Sequence, residues 1–285
     1  MASHRAVFWV NTPQRFSLRR LMAKSRLDAL LVDRGLFDNR SRAAAAVIAG
    51  DVRLGDDGRR ADKPGQMVAP DVSLAVAEGP QYVSRGGIKL ANALDSLGLD
   101  PSGRCALDVG ASTGGFTDCL LQRGAARVIA VDVAYGELHW KIRNDSRVTV
   151  LERMNARSLA PGDLAYAPDL IVADVSFVSL RKALSAPIAC AVGRWDCLAM
   201  VKPQFEVGRE RIGKGGVVRS GDDRRSALVE VAAWAEGSLG AAVLGFASSG
   251  LPGPAGNQET FVWLAEAGRP GGVGDIEAAA REVEP

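Results

Sequence analysis

Four charged residues stand at the ends of predicted strands or helices, where a ligand would collect. Lys89 lies near the start of a predicted helix, and Asp174 and Lys202 each follow an apolar run directly. Glu259 begins the last predicted strand. Two lysines and two carboxylates that meet at one point can align a hydroxyl group, manage its proton and stabilise a developing negative charge. Each residue alone is ordinary surface charge, so the prediction depends on a binding pocket beside them.

Residues 104–117 predict such a pocket, because they are typical of a buried strand, a glycine-bearing turn and the first turn of a helix. A second strand, 128–133, carries an acidic residue that can accept hydrogen bonds from ribose hydroxyls. A third, 147–151, is followed by Asn155, which either reaches an adenine edge or caps a loop. We expect the cofactor to be lined by Asp108, Gly110, Ala111, Ser112, Gly114, Gly115, Phe116, Asp132, Asn155 and Asp174.

The spacing of this turn favours one class of cofactor. Its order, Asp-x-Gly-x-x-x-Gly-Gly-Phe with the acid inside the strand, differs from the G-x-G-x-x-G of dinucleotide folds. It is more usual for S-adenosylmethionine, since a sulfonium amino acid needs carboxylates and backbone carbonyls, whereas a phosphate needs a helix N-terminus. An ordinary strand-turn-helix with glycine at its bends is the alternative.

The order of elements predicts an α/β fold with two domains. Seven apolar runs, the later ones being 170–173, 197–201, 242–247 and 259–264, alternate with helices such as 82–97 and 227–235. We expect a Rossmann-like, seven-stranded, mostly parallel sheet with helices on both faces, over residues 81–267. Residues 268–285 are interpreted as a polar tail with a short helix at 276–283, and residues 1–22 as a disordered extension or a mis-assigned start.

Residues 23–80 predict a small α+β domain. Gly35 and Gly50 end two helices, Ser41 is the expected N-cap of the second, and strands follow at 52–54 and 72–76. The segment resembles the small RNA-binding domain first described in the fourth protein of the bacterial small ribosomal subunit, through Ser25-Arg26-Leu27-Asp28, Arg34-Gly35-Leu36, Ser41-Arg42, Gly50-Asp51-Val52 and Lys63-Pro64-Gly65. The Gly- and Arg-rich loop at 205–226 is interpreted as a mobile RNA-contacting flap. The candidate RNA-binding residues are Arg26, Arg40, Arg42, Lys63, Arg85, Arg209 and Arg211.

Composition excludes several other classes of protein. The chain has 285 residues, 47% of them hydrophobic, with a net charge of +2, so it can bury a core and is not disordered as a whole. Two histidines and four scattered cysteines supply neither a metal cage nor a Ser-His-Asp triad, and they favour reduced thiols in a reducing compartment. We expect no metal and no membrane-spanning segment, and the sequence does not indicate an oligomeric state.

The four charged residues resemble the Lys-Asp-Lys-Glu tetrad of ribose 2′-O-methyltransferases. Together with the small domain they make the chain similar to the TlyA family, whose hemolysin-like members join this RNA-binding domain to an FtsJ-like methyltransferase domain. The motifs that carry this resemblance are Ser84-Arg85-Gly86-Gly87, Asp108 to Thr117, Asn155-Ala156-Arg157, Ala173-Asp174-Val175-Ser176-Phe177, Val201-Lys202-Pro203-Gln204-Phe205-Glu206 and Gly256-Asn257.

The resemblance implies an rRNA (cytidine-2′-O)-methyltransferase that uses S-adenosylmethionine, works in the cytoplasm and binds ribosomal RNA or ribosomal subunits, small or large. Related single-domain enzymes have Trp where this chain has Phe116. Lys202 would act nearest the hydroxyl, either as a base or as an electrostatic stabiliser, and the sequence leaves both roles open. The alternatives are a non-catalytic RNA-binding assembly factor, a membrane-lytic hemolysin and, more weakly, a dehydrogenase.

Overall fold

The computed structural model describes residues 7–9, 24–77 and 80–284 of the chain. The chain divides into two compact units, one ending at Gln81 and the other beginning at Tyr82. Each unit has its own hydrophobic core, and each is described by itself below.

The first unit packs two short helices on small antiparallel sheets. Four strands form a sheet in the order β1-β6-β3-β4, and β2 pairs with β5. The core is built from the apolar faces of both helices, including Leu27, Leu31 and Val47, with Val52 and Leu74 from the sheet. The elements are β1 Val7–Trp9, β2 Ser25–Arg26, α1 Leu27–Asp33, α2 Arg40–Ala49, β3 Val52–Leu54, β4 Arg59–Arg60, β5 Met67–Val68 and β6 Leu74–Ala77.

Two sequence predictions for this unit need correction. The N-cap of α2 is Asn39 and not Ser41, because Asn39 has an extended backbone and its side chain accepts a hydrogen bond of 3.0 Å from the amide of Arg42. The last strand spans Leu74–Ala77 instead of 72–76. The interpretation of residues 1–22 lies outside the described residues, except for Val7–Trp9, which pairs with β6.

The second unit is a seven-stranded sheet with helices on both faces, as the sequence predicts. Strand order is β12-β13-β11-β10-β7-β8-β9, and only β13 runs antiparallel to its neighbours. Its elements are α3 Arg85–Leu97, β7 Cys105–Val109, α4 Gly115–Gln122, β8 Arg127–Asp132, α5 Trp140–Arg143, β9 Val148–Glu152, β10 Leu170–Ala173, α6 Leu180–Ala183, α7 Ser185–Ala189, β11 Asp196–Val201, α8 Pro203–Glu206, α9 Gly221–Leu239, β12 Ala242–Ser248, β13 Thr260–Ala265 and α10 Ile276–Val283.

Alternate residues of the central strands face two separate cores. In β7, Leu107 and Val109 pack into the core that contains α9 and α10, whereas Ala106 packs into the core that contains α3 and α4. Successive side chains of a strand point to opposite faces, so a strand buried on both sides must be apolar throughout. The continuous apolar runs in the sequence have this cause.

Helix α9 is longer than the helix predicted at 227–235. Ser220 caps its N-terminus, where the hydroxyl accepts a hydrogen bond of 3.2 Å from the amide of Asp223, and Gly240 ends it with a φ of 63°. The loop predicted to reach residue 226 therefore ends at Ser220. It also contains ordered turns, since Arg209–Arg211 is a single 3₁₀ turn and Gly213 pairs with Val217.

The segment predicted as a polar tail folds back onto the sheet domain. Helix α10 packs against α9, and Glu284 accepts hydrogen bonds from Arg224 at 2.8 Å and from Thr260 at 2.9 Å. Glu284 is buried. The C-terminal helix therefore covers part of the core that lies under β12 and α9.

Candidate active site

The turn after β7 brings the backbone unusually close to the end of β10. Gly110 has a φ of 84°, and a Cβ atom added there would lie 2.5 Å from the carbonyl oxygen of Asp174. Gly114, with a φ of 91°, is the N-cap of α4. Only glycine adopts this conformation without strain and also leaves room for a neighbouring backbone. The glycines of the predicted turn therefore shape a narrow cleft at the strand ends.

Two carboxylates, those of Asp132 and Asp108, lie on the strands beside this turn. Asp132, at the end of β8, accepts hydrogen bonds from the amides of Ser112 at 2.7 Å and Ala134 at 2.8 Å. A carboxylate has about four acceptor positions, so Asp132 can accept further hydrogen bonds from a ligand.

Asp108 is fully buried inside β7 and accepts a hydrogen bond of 2.6 Å from the Thr117 hydroxyl with one oxygen. Its other oxygen, Oδ1, has no hydrogen-bond partner. The pKa of this carboxyl is raised to about 7, mainly by burial and to a smaller extent by the charge of Asp174, while the Thr117 hydrogen bond opposes the rise. Asp108 is not part of the wall of either cavity beside the turn, so the predicted contact between this residue and a cofactor is not seen in the cavity lining.

Two cavities flank the turn and share Gly110, Ser112 and Asp174 in their walls. The first, about 490 Å³, also includes Asp132 and Asn155. The second, about 480 Å³, is lined in addition by Ala111, Gly115, Phe116, Lys89, Lys202, Glu259, Arg85 and others. One site thus has two lobes, each large enough for part of a nucleotide-sized ligand.

The four charged residues form two lysine–carboxylate pairs in the wall of the second lobe. Lys89 bonds to Glu259, and these side chains are only 8% and 1% exposed. The Nζ of Lys202 lies 2.6 Å from Oδ1 of Asp174, with side-chain exposures of 11% and 26%. Elements far apart in the chain, α3, β10, β11 and β13, thus deliver all four groups to one cavity.

The antiparallel direction of β13 explains how Glu259 reaches this edge. Glu259 precedes its strand, whereas Asp174 and Lys202 follow theirs. Since Thr260, the first residue of β13, pairs with Val201, the last of β11, the start of one strand lies beside the end of the other. A parallel β13 would have placed Glu259 at the opposite edge of the sheet.

Glu206 secures the loop that follows Asp174. Its buried carboxylate accepts hydrogen bonds from the Ser179 hydroxyl at 2.6 Å and from the Leu180 amide at 2.7 Å, and burial raises its pKa. Glu206 ends α8, the short helix that begins directly after Lys202. The loop after β10 and the segment after β11 are therefore fixed to each other.

Asn155 and Phe116 lie at the cavities but also have structural tasks. The Asn155 side chain accepts a hydrogen bond of 3.0 Å from the Arg157 amide, which is the loop-capping interaction expected as its alternative role. Phe116 is buried, and its ring centroid lies 5.8 Å from that of Phe261. Both residues can serve a ligand without losing these contacts.

Several candidate RNA-binding residues already hold an acidic partner. In the first unit, Arg26 and Arg40 lie 2.8 and 3.1 Å from Asp28, whose pKa the Arg26 guanidinium, followed by that of Arg40, lowers to about 2. Arg42 pairs with the exposed Asp38 at 2.6 Å, and Lys63 is exposed. All four basic residues are exposed, and Arg26, Arg40 and Arg42 are exposed to similar extents.

In the second unit, Arg85 is exposed and donates to the Pro252 carbonyl at 2.8 Å, and Arg209 is exposed. Arg211 lies between Asp223 and Glu230, each 3.9 Å away. The loop interpreted as a flap is also fastened at its end, where buried Asn257 bonds to the Val218 amide and the Gly216 carbonyl, each at 2.9 Å.

The sequence analysis did not predict the contacts of Ser176 and Glu206, nor that Asn257 fastens the end of the preceding loop. Ser176 lies 2.8 Å from the Nζ of Lys202 and lines the first lobe. Its position two residues beyond Asp174, at the carboxyl end of a strand, was the available signal. Nothing in the sequence indicates the partners of Glu206 or Asn257, because those depend on how separate loops pack.

Within the described residues, no cluster of His, Cys, Asp and Glu is arranged to hold a metal ion. None of the described helices has the length and apolarity required to span a membrane. The four cysteines are all free thiols.

Comparison with known proteins shows what the chain resembles. The sequence profile of the FtsJ-like methyltransferases matches residues 82–266. A 16S/23S rRNA (cytidine-2′-O)-methyltransferase TlyA from Mycobacterium tuberculosis is 48% identical over 243 residues, which cover 85% of this chain and 90% of that protein. Hemolysin A from Brachyspira hyodysenteriae is 37% identical, over 68% of this chain and 80% of its own length. A solved hemolysin-like protein from Streptococcus thermophilus is 39% identical and aligns with a TM-score of 0.67 over 92% of this chain and 96% of its own.

Proposed function

The chain belongs to the family of FtsJ-like methyltransferases, in its TlyA group, and we propose that it methylates a ribose 2′-hydroxyl of ribosomal RNA with S-adenosylmethionine as donor. We propose a cytidine in small-subunit or large-subunit rRNA as the target, and the cytoplasm as the place of action. Convergence of two lysine–carboxylate pairs on the cavity beside the glycine turn carries this proposal.

The residues around the turn fit a sulfonium cofactor. The carboxylate residue Asp174 and the backbone of Gly110 line both lobes, at the place where the two lobes meet. These groups suit a cationic amino acid, which needs carboxylates and carbonyls. In the first lobe, Asp132 would accept hydrogen bonds from ribose hydroxyls and Asn155 would contact the adenine. S-adenosylmethionine, when bound, supplies a methyl group that is already activated by its positive sulfur.

The second lobe would hold the acceptor ribose. In the transfer, a bond forms between the ribose 2′-oxygen and the methyl carbon while the carbon–sulfur bond breaks, and the hydroxyl proton must leave. Lys202 has three positions around its nitrogen, of which one donates to Ser176 and another lies beside the Asp174 carboxylate in an ion pair of 2.6 Å. The third either accepts the hydroxyl proton, if the amine is neutral, or donates to the oxygen that becomes negative.

The Lys89–Glu259 pair would fix the back wall of this lobe. Its charges cancel locally, and its burial keeps both groups in place when substrate enters. Asp174 orients Lys202 and tempers the repulsion between the two lysines. Such preorganisation is the main task of an enzyme whose donor needs no further activation.

The first unit would bind RNA phosphates through its exposed basic residues Arg26, Arg40, Arg42 and Lys63. Arg85 and Arg209 would add contacts from the second unit. A target ribose within a ribosomal subunit must be displaced from its stack to reach a cavity of this kind, and binding of the surrounding RNA would supply that energy.

The test is methyl transfer to isolated ribosomal subunits. The protein is incubated with 30S and 50S subunits from cells that lack it and with methyl-labelled S-adenosylmethionine, and the modified nucleotide is located by mass spectrometry. We expect one or more 2′-O-methylcytidines with the wild-type protein and none with Lys202→Ala. Binding of the cofactor without transfer to either subunit would overturn the proposal.

A non-catalytic assembly factor predicts a different result. Such a protein would support ribosome assembly in cells equally well with Lys202→Ala as with the native lysine. Comparing subunit profiles and rRNA methylation in the same cells separates the two functions.

A further inference from the structure

The loop after β10 supplies a second contact to Lys202 besides the carboxylate. The Nζ of Lys202 donates to the Ser176 hydroxyl at 2.8 Å and lies 2.6 Å from Asp174. An ammonium or amine group on a flexible four-carbon chain is directed by the acceptors around it. The Asp174 contact is an ion pair and not a directed hydrogen bond, since Oδ1 of Asp174 has no hydrogen-bond partner, so the Ser176 hydroxyl is the acceptor that directs the nitrogen.

The backbone beside Ser176 is held in a conformation that costs energy. Phe177 has a φ of 65°, in the left-handed region that a bulky residue rarely adopts. Its side chain is 91% exposed, with the ring centroid 5.3 Å from that of Phe205, so burial of the ring does not repay this conformation. Strain of this kind persists where the surrounding structure imposes it, and it concentrates at functional sites.

Glu206 supplies the restraint. Its two oxygens hold the Ser179 hydroxyl and the Leu180 amide, two and three residues after Phe177. The other end of the loop is fixed by β10, which pairs with β11 up to Ala173. Between these anchors, the left-handed turn at Phe177 sets where the Ser176 hydroxyl lies. The structure thus keeps this loop in a strained conformation in which the Ser176 hydroxyl contacts Lys202.

We propose that Ser176 is a positioning residue for Lys202, which together with Asp174 aims the third position of the lysine nitrogen at the acceptor oxygen. This inference rests on the proposed methyl transfer. It assigns Ser176 a task that neither Asp174 nor the buried Lys89–Glu259 pair can perform. A single carboxylate contact leaves the Lys202 nitrogen free to turn.

The contact has little effect on the stability of the free protein. Ser176 is exposed, so water competes for its hydrogen bond until substrate excludes solvent from the cavity. Loss of the hydroxyl should therefore lower the rate of transfer, without changing folding or cofactor binding. A merely structural serine would affect stability first.

The kinetic experiment uses the full-length protein and ribosomal subunits under single-turnover conditions. Ser176→Ala should lower the transfer rate about 10- to 100-fold, with dissociation constants for cofactor and subunit within about twofold of wild type. Ser176→Thr, which keeps the hydroxyl, should recover most of the rate. Ser238→Ala, an exposed serine on α9, is the matched control and should leave the rate unchanged.

A double-mutant cycle identifies the group through which Ser176 acts. In a Lys202→Ala background, Ser176→Ala should cause no further loss, because the lysine that it positions is gone. Equal rates for Ser176→Ala and wild type, or losses that simply multiply in the double variant, would overturn the proposal.

A structural measurement keeps this inference separate from the proposed function. Crystal structures of wild type and Ser176→Ala should differ in the Lys202 nitrogen, which moves by about 1 Å or more or loses its density in the variant and returns in Ser176→Thr. An unmoved nitrogen in Ser176→Ala would refute the positioning role, whether or not rRNA is methylated. Absence of methyl transfer by the wild type would refute the proposed function, whatever the nitrogen does.

Discussion

The two lysine–carboxylate pairs occupy neighbouring regions of one cavity wall, but they differ in their access to water. Lys89 and Glu259 are sealed, with side chains at most 8% exposed, whereas Asp174 is 26% exposed and its pair includes a serine as third member. Both residues of the first pair line the second lobe, but their side chains have little contact with solvent. The second pair is more exposed, and we propose that it acts at the reacting hydroxyl while the first pair forms the cavity wall.

This difference in exposure to water follows from the helices and strands that carry the two pairs. Lys89 lies within helix α3, and Glu259 is covered by the loop before β13, where a Cβ atom on Gly253 would lie 2.5 Å from its carboxylate. Asp174 and Lys202 directly follow two adjacent parallel strands, at the edge where ligands gather in such sheets. We therefore attribute the proposed difference in role to the position of the pairs in the sheet and not to the chemistry of their side chains.

The strongest way to break this contrast is to remove the open lysine. Lys202→Ala should lower single-turnover methyl transfer by about a thousandfold or more, since both proton management and charge stabilisation at the acceptor oxygen are lost. Cofactor affinity, measured by calorimetry, should stay within a few-fold of wild type. A loss of less than tenfold would assign the reaction to another group.

Removal of the sealed carboxylate should affect stability first. Glu259→Ala leaves the Lys89 ammonium buried without a partner, and we expect the free energy of unfolding in urea to fall by about 3–5 kcal/mol. The double variant Lys89→Met with Glu259→Leu should recover much of that stability but not the activity. If Glu259→Ala cost under about 1 kcal/mol, the pair would have to be open to water.

Asp108 extends the comparison of the two pairs, because its carboxyl group is buried like that of Glu259 but has no cation beside it. Its folded-state pKa of about 7 lies above the usual 3.8, so its protonated form favours the folded state. That stabilisation is fully present below pH 3.8 and is lost as pH rises through about 7, by up to about 4 kcal/mol.

Asp108→Asn removes this dependence. In the cofactor-free protein, the variant should be more stable than wild type at pH 8, and the two should converge towards pH 4. Urea titrations at several pH values measure this difference. A pH-independent difference between the two proteins would show that Asp108 does not titrate in this range.

The smallest effect on stability is expected at the open carboxylate. Asp174→Asn removes a partly exposed ion pair, for which we expect a change in unfolding free energy below about 1 kcal/mol. Methyl transfer should nevertheless fall, since Lys202 loses one of its two fixed contacts. A destabilisation as large as that of Glu259→Ala would mean that the two pairs do not differ in their exposure to water.

The sequence predicted the local features of this site well. The strand 105–109, the glycine turn and the acidic residue at the end of β8 lie where their spacing placed them, because each depends only on neighbours in the chain. Most strand boundaries of the sheet were predicted within one or two residues, since strands buried on both faces are apolar throughout. The N-cap of α2 and the start of α9 were missed, because several nearby polar residues can cap a helix and packing selects one.

The sequence by itself determined which residue types and elements this protein has, and a family resemblance suggested that Lys89, Asp174, Lys202 and Glu259 act together. Only the tertiary structure decided how they pair. Lys89 and Glu259 are 170 residues apart, and their contact requires β13 to run antiparallel beside β11. The place of Ser176 depends on a left-handed turn at Phe177, next to residues that Glu206 holds from the end of helix α8. Strand order, strand direction and contacts between loops arise from the packing of distant segments, and no local pattern in the chain specifies them.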